Sequence, residues 1–195
     1  VKIGVLELRP TQIALGVREV ARKAAKLRAM SHDERRDYLH SRPVPVVRAP
    51  RGTYYLIDHH HQLRASWESG VDEVIVEVKA DLSALTQEAF WTEMRRSHWV
   101  HPYDQFGGGP HDLRLLPEDI RGLADDPYRS LAWVLRHEGL YEKSEVPFAE
   151  FLWADFLRRE IVAEPGDAGY AQAAAAARRL AHSARAKNLP GWKGS

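Results

Sequence analysis

The sequence predicts an α+β fold, a small mixed sheet with helices followed by a helical C-terminal region. Over residues 1–80 short apolar runs and stretches of helical spacing follow one another, in the order strand, helices, strand, strand, helix, strand. Beyond Asp81 the pattern is helical throughout. A chain of 195 residues fits one domain or two small ones. The change of character predicts two: an α+β domain over residues 1–80 and a helical domain over residues 81–195 packed on it.

Each element has its own signal. Ile3 to Leu8 has little turn chemistry and reads as a short strand ended by Arg9-Pro10-Thr11. Val17, Val20, Ala24 and Leu27 recur at helical spacing up to Met30, with Arg18, Arg22 and Lys26 on another face. Ser31-His32-Asp33-Glu34 has the form of a capping box and starts a second helix. Pro43 and Pro45 bracket an extended segment and suit an edge strand. Arg51-Gly52 turns the chain into the strand Tyr54 to Ile57; a helix follows from His59 to Ser69, with Gly70 as its left-handed cap. Val74 to Val78 is a further strand. The helices expected beyond Asp81 are Leu82–Ser97, Pro117–Ala124, Pro127–Glu138, Pro147–Val162 and Ala168–Lys187. Asp126-Pro127 is a start signal and Gly139 a stop. Phe148, Phe151, Trp153 and Phe156 are expected mainly in a core, and Gly107 to Pro110 is the clearest flexible loop.

Composition excludes several classes. A charged fraction of 28% and the lack of any run of ~20 apolar residues exclude a membrane-spanning chain. Without cysteine there is no disulfide framework, thiolate metal site, thiol chemistry or iron–sulfur cluster. No haem or flavin is expected. A net charge of +1 weighs against binding nucleic acid through bulk electrostatics. The sequence opens on Val1, so a preceding leader is left open; a cytoplasmic location is the expectation.

Three of the ten histidines stand together in Asp58-His59-His60-His61, where a strand gives way to a helix. Outward-pointing amides and the positive end of the helix dipole favour an anion there, phosphate above all. Asp58 at such a junction caps the helix, holds a metal or orients a histidine. Successive helical residues point ~100° apart, so the three histidines do not all reach one ion. His61 and Arg64 share a face. A helix cap would account for one Asp-His pair; an aspartate followed by three histidines points to chemistry.

The segment Tyr55 to Ala65 resembles the second conserved box of the ParB/sulfiredoxin fold, and Leu8 to Gln12 sits where the first box begins. The resemblance extends over most of the chain to the ParB-like nuclease group, through Pro-Thr-Gln, Asp-His-His-His, Phe90-Trp91 and the run Asp125 to Ser130. It implies that fold for residues 1–80. His60 stands where sulfiredoxins carry their nucleophilic cysteine, which excludes that activity. Asp58, His60 and His61 match the aspartate and paired histidines of free-serine kinases, and are the catalytic candidates by resemblance. His59 and Gln62 replace a glycine and an arginine of that motif; Arg64 matches the last arginine of the partition-protein box. With Lys23, these three are the phosphate-binding candidates, and Asp58 is the metal candidate. Gln12 lies near the position of the kinases' catalytic carboxylate. An amide is no general base, so Glu7 or Glu19 must substitute if the chain is a kinase.

Secondary candidates are weaker. Arg22, Lys23 and Lys26 read either as a solvated face or as approaching phosphate; His98, His101 and His111 lie in a loop that could close over the site. Arg129 is a candidate to face a ligand, Asp125-Asp126 has an adequate explanation in the helix cap, and the basic tail from Ala171 reads as a packed helix with a polar face.

Three functions follow. The first is an enzyme acting on a phosphate ester or nucleotide, by phosphoryl transfer or hydrolysis, with Mg²⁺ and a nucleoside triphosphate or diphosphate as cofactors and a small phosphorylated or nucleotide substrate as partner. The second is a DNA-binding or nuclease-like module, which the charge balance disfavours. The third is a metal-dependent enzyme using Asp58, His60 and one downstream histidine.

Overall fold

A computed structural model describes residues 1–194. In chain order the elements are β1 (Lys2–Gly4), β2 (Leu8–Pro10), β3 (Ala14–Leu15), α1 (Val17–Ala29), α2 (His32–His40), β4 (Val44–Arg48), β5 (Tyr54–Leu56), α3 (His60–Glu68), β6 (Glu73–Asp81), α4 (Gln87–Arg96), β7 (Ala124–Asp125), α5 (Pro127–His137), α6 (Ala149–Glu160) and α7 (Gly166–Ala181). This is the mixed sheet with helices and the helical C-terminal region that the sequence predicts. The chain divides into two units, residues 1–15 with 19–124, and residues 16–18 with the chain from 125. The dividing point after the sheet therefore falls at 124 rather than 80. The cause is α4: its Phe90 and Met94 form one buried cluster with Val47, Ala49 and Val100, so the segment beyond Asp81 completes the first unit's core.

The first unit is built on a five-stranded sheet of order β1-β6-β4-β5-β2. The pairs β2–β5 and β4–β6 are parallel, whereas β4–β5 and β1–β6 are antiparallel. Val44 to Val47 are all buried, as a strand covered on both faces requires. Val47 joins the cluster with α4, and the period of two sends Val44 and Val46 to the opposite face. Helix α1 buries Val20, Ala24 and Leu27 at positions i, i+4 and i+7. The Ser69 hydroxyl at the end of α3 donates to the Ala24 carbonyl of α1 at 3.2 Å.

Four expectations are corrected. The prolines do not mark an edge: β4 lies at the centre of the sheet. Pro45 is tolerated because its β5-facing side lies beyond Leu56, the last ladder residue, where its carbonyl accepts from the Ile57 N–H at 3.1 Å. The first strand is two strands, separated by a 3-10 turn over Val5–Glu7 that buries Val5. Pro117–Ala124 is no α-helix; Asp119 caps a single turn, Ile120–Gly122, and β7 follows. The Gly107–Pro110 loop is tied down, with Asp104 Oδ1 accepting from the Phe106 and Gly108 amides at 2.8 and 2.9 Å and Oδ2 meeting His111 Nε2 at 2.7 Å.

The capping box at α2 is present in both directions: the Glu34 N–H donates to Ser31 Oγ at 3.3 Å and the Ser31 N–H donates to Glu34 Oε2 at 2.8 Å. Ser31→Ala should therefore lower stability by ~1 kcal/mol, read as a shift of the urea midpoint at unchanged slope. Gly70 adopts φ of 75°, as its role as cap of α3 demands.

The second unit is helical. Its core gathers Leu131 and Leu135 of α5, Trp153 and Leu157 of α6, and Ala173, Ala174 and Ala177 of α7 around Tyr141. The alanine run thus serves as the close-packed face of α7. Asp126 caps α5 by accepting from the Tyr128 N–H at 2.9 Å, with Pro127 at the first helical position. Among the described residues no helix is long and apolar enough to cross a membrane.

Candidate functional site

The Asp58–Gln62 segment lies where β5 hands over to α3, beside the ends of β2 and α1 in the first unit. Asp58 is exposed, and its Oδ1 accepts from the His59 N–H at 2.6 Å. It does not cap α3 by a side-chain bond. The residue at the cap is His59, in the left-handed conformation with φ of 65° and ψ of 24°. Histidine stands here in a backbone shape that glycine adopts at no cost. The first intrahelical bond runs from the Leu63 N–H to the His59 carbonyl at 2.9 Å. The amides of the first turn precede that ladder, which is the arrangement that receives anions at helix starts.

The histidines take different environments. His60 is buried, and its Nε2 accepts from the Thr11 N–H at 3.2 Å, while the Thr11 hydroxyl donates to the Leu56 carbonyl at 2.7 Å. This bond fixes the neutral tautomer with the proton on Nδ1 and laces the end of β2 to the start of α3. His60→Leu should cost ~1–3 kcal/mol, because the Thr11 amide would lose its acceptor in a buried place; thermal unfolding measures it.

His61 turns to α1. Its Nε2 lies 3.4 Å from Glu19 Oε2, with side-chain exposures of 12% and 4%. Glu19 Oε1 is held by Lys23 Nζ at 2.8 Å, one helical turn on. A nearly buried carboxylate is thus shared between an imidazole and an ammonium. Of the two substitutes for the missing kinase carboxylate, Glu7 and Glu19, the structure brings Glu19 to the histidines.

The remaining candidates are placed as follows. Gln62 is buried, and its Nε2 donates to the Arg42 carbonyl at 3.1 Å, anchoring the segment that leads into β4. Arg64 Nε meets Glu68 at 2.8 Å and its Nη1 donates to the Ile120 carbonyl at 3.2 Å, so its guanidinium holds the turn after Asp119. Gln12 is buried beside Thr11 and bridges the backbone of His101, whose N–H donates to the Thr11 carbonyl at 2.8 Å. The downstream loop therefore reaches the first box through its backbone, and the His101 ring stacks on Tyr103. His111 is engaged by Asp104. Among the described residues no three His, Asp or Glu side chains gather as a metal-ligand set, so an ion held by Asp58, His60 and a downstream histidine has no geometric support.

Arg129 belongs to the second unit. It is 4% exposed, its Nη2 meets Glu150 Oε2 at 2.9 Å, and its guanidinium stands 4.3 Å over the Phe151 ring. In the same unit Asp126 pairs with Arg158 at 2.5 Å, yet burial pushes its carboxyl above the usual range.

The bonds that Thr11 makes to His60 and Arg42 to Gln62 were not legible in sequence, since both run through backbone groups. Known proteins agree with the fold. Residues 1–159 match the family described as "Putative ParB-like nuclease". The chain is similar to the crystal structure of protein Atu1540 from Agrobacterium tumefaciens, with 40% identity and a TM-score of 0.90 over 100% of this chain and 98% of that one. No curated protein matches the chain.

Proposed function

The chain belongs to the ParB-like nuclease family, and from that premise we propose that it is an enzyme of phosphate-ester chemistry whose proton-transfer group is His61 backed by Glu19. The observation that carries this reading is the Glu19–His61 pair, nearly buried, in which Glu19 of α1 meets His61 in the first turn of α3. The charge of a carboxylate 3.4 Å from Nε2 favours the proton there and leaves Nδ1 as the accepting nitrogen. It also stabilises the imidazolium that forms when the ring takes a proton from an attacking hydroxyl. The hydroxyl of water gives hydrolysis; that of a small alcohol gives phosphoryl transfer. The helix start, with Lys23 beside it, supports the phosphate by its dipole and its charge.

Asp58 is suited to Mg²⁺, which takes one or two carboxylates and completes its shell with phosphate oxygens and water. One Asp58 oxygen is engaged by the His59 amide and the residue is exposed. A bound Mg²⁺ would supply charge neutralisation at the phosphoryl oxygens. His60 acts as a strut that fixes the neighbouring His61 through the Thr11 bond.

The test is turnover of nucleoside triphosphates, bis(p-nitrophenyl) phosphate and a labelled oligonucleotide with Mg²⁺, for the native chain and His61→Ala. Turnover on at least one, reduced ~10²–10⁴-fold by the substitution, is the expected result. Equal rates for both proteins, or none on any phosphate ester, would sink the reading.

A further inference from the structure

A second concave site lies apart from the histidines, where α4 and the segment from Asp112 to Glu118 border the edge of the sheet. The cleft has a volume of about 750 Å³, well within the range of small-molecule sites. Arg9 and Tyr55 stand opposite each other in the β2–β5 ladder and both line it. Trp91 and Arg95, one helical turn apart on α4, also line it. Tyr55 and Trp91 meet edge to face at 5.0 Å, and Leu113, Leu116 and Pro117 extend the apolar surface.

The charges of the lining sort into two sets. Asp112 and Arg114 satisfy each other, Arg114 Nη2 lying 2.7 Å from Asp112 Oδ2. Arg114 holds the Asp112 carboxyl down to about 2, so the pair persists at any ordinary pH. What remains is two guanidiniums, Arg9 and Arg95, and two carboxylates, Glu88 and Glu118, none of them in an ion pair among the described residues. Arg9 touches the Tyr55 phenol, and Arg95 feels Asp112 only at longer range. The lining is therefore balanced in charge, with both signs available around an apolar wall. A nucleotide or other polyanion would meet Glu88 and Glu118 as repulsion; an uncharged ligand would leave all four groups unused.

We propose that this cleft binds a small zwitterion with an apolar body, an apolar amino acid or a short peptide, its carboxylate on Arg9 and Arg95 and its ammonium on Glu88 and Glu118. Guanidinium is the group suited to a carboxylate because its planar donors match the two oxygens. The aromatic and aliphatic wall takes the side chain.

Calorimetric titration of the whole chain with the dipeptide L-phenylalanyl-L-leucine tests this, alongside its N-acetyl and C-amide forms, free L-leucine and adenosine monophosphate. The dipeptide should bind, and either cap should weaken it at least about tenfold. Arg95→Ala should weaken the free dipeptide but leave the already weak C-amide form unchanged. Glu118→Gln should do the same with respect to the N-acetyl form. Both replaced residues are exposed, and circular dichroism confirms that the variants fold. Leucine binding as well as the dipeptide assigns a free amino acid; tighter dipeptide binding assigns a peptide. No binding at millimolar concentration, indifference to both caps, or tighter binding of adenosine monophosphate overturns the proposal.

Discussion

Glu19→Gln should lower kcat about a hundredfold while leaving KM within about threefold. The amide keeps the shape of the carboxylate and its place 3.4 Å from His61 Nε2, but it carries no charge. Two unit charges 4 Å apart interact by about 4 kcal/mol at an effective dielectric of 20. The imidazolium formed on proton transfer loses most of that support, whereas substrate in the ground state does not sense it. The Glu19 side chain is 4% exposed, so solvent replaces little of the lost field. A merely structural Glu19 predicts another pattern. Removing its charge would leave Lys23 unpaired, lower the melting temperature and change kcat and KM by little. A kcat within about twofold of native would remove Glu19 from the mechanism.

Trp153→Ala should destabilise the second unit by about 4 kcal/mol, within the usual 3–5 for aromatic truncation in a core. Trp153 is fully buried, stacks on Tyr141 at 4.3 Å and donates from Nε1 to the Pro190 carbonyl at 2.8 Å. The substitution opens a cavity among small alanines of α7 that have no side chains with which to fill it, and it orphans the carbonyl. Equilibrium urea unfolding followed by circular dichroism reads the loss. A change below about 1 kcal/mol would mean that the helices close over the gap.

How far the sequence carried each feature depends on how local its cause is. The Ser31 box, the Asp126-Pro127 start and the Gly70 cap are decided within a few residues, and all three stand as expected. The helices of the second unit follow their apolar periodicity closely. The place of Pro45 at the sheet centre was not legible, because it depends on β5 ending at Leu56, a fact about another strand. The inclusion of α4 in the first unit depends on the partners of Phe90, which periodicity does not name. In the candidate site the Asp-His-His-His cluster was visible as a motif, but its division of labour was not. The Glu19–His61 approach spans α1 and α3, and His60 is engaged by a backbone amide that every residue type possesses. The cleft beside α4 left only a faint trace, the spacing of Gln87, Trp91 and Arg95 along one helix face.

The left-handed backbone at His59 sets a trade between durability and work. A residue with a Cβ costs roughly 1–2 kcal/mol in that conformation, which glycine avoids. His59→Gly should therefore raise the melting temperature, or at least not lower it, beyond the penalty of a freer unfolded chain. If the imidazole at 59 contacts substrate, the same change lowers turnover; if it does not, the chain gains robustness without loss. Measuring both quantities on one variant shows what the strained turn is kept for.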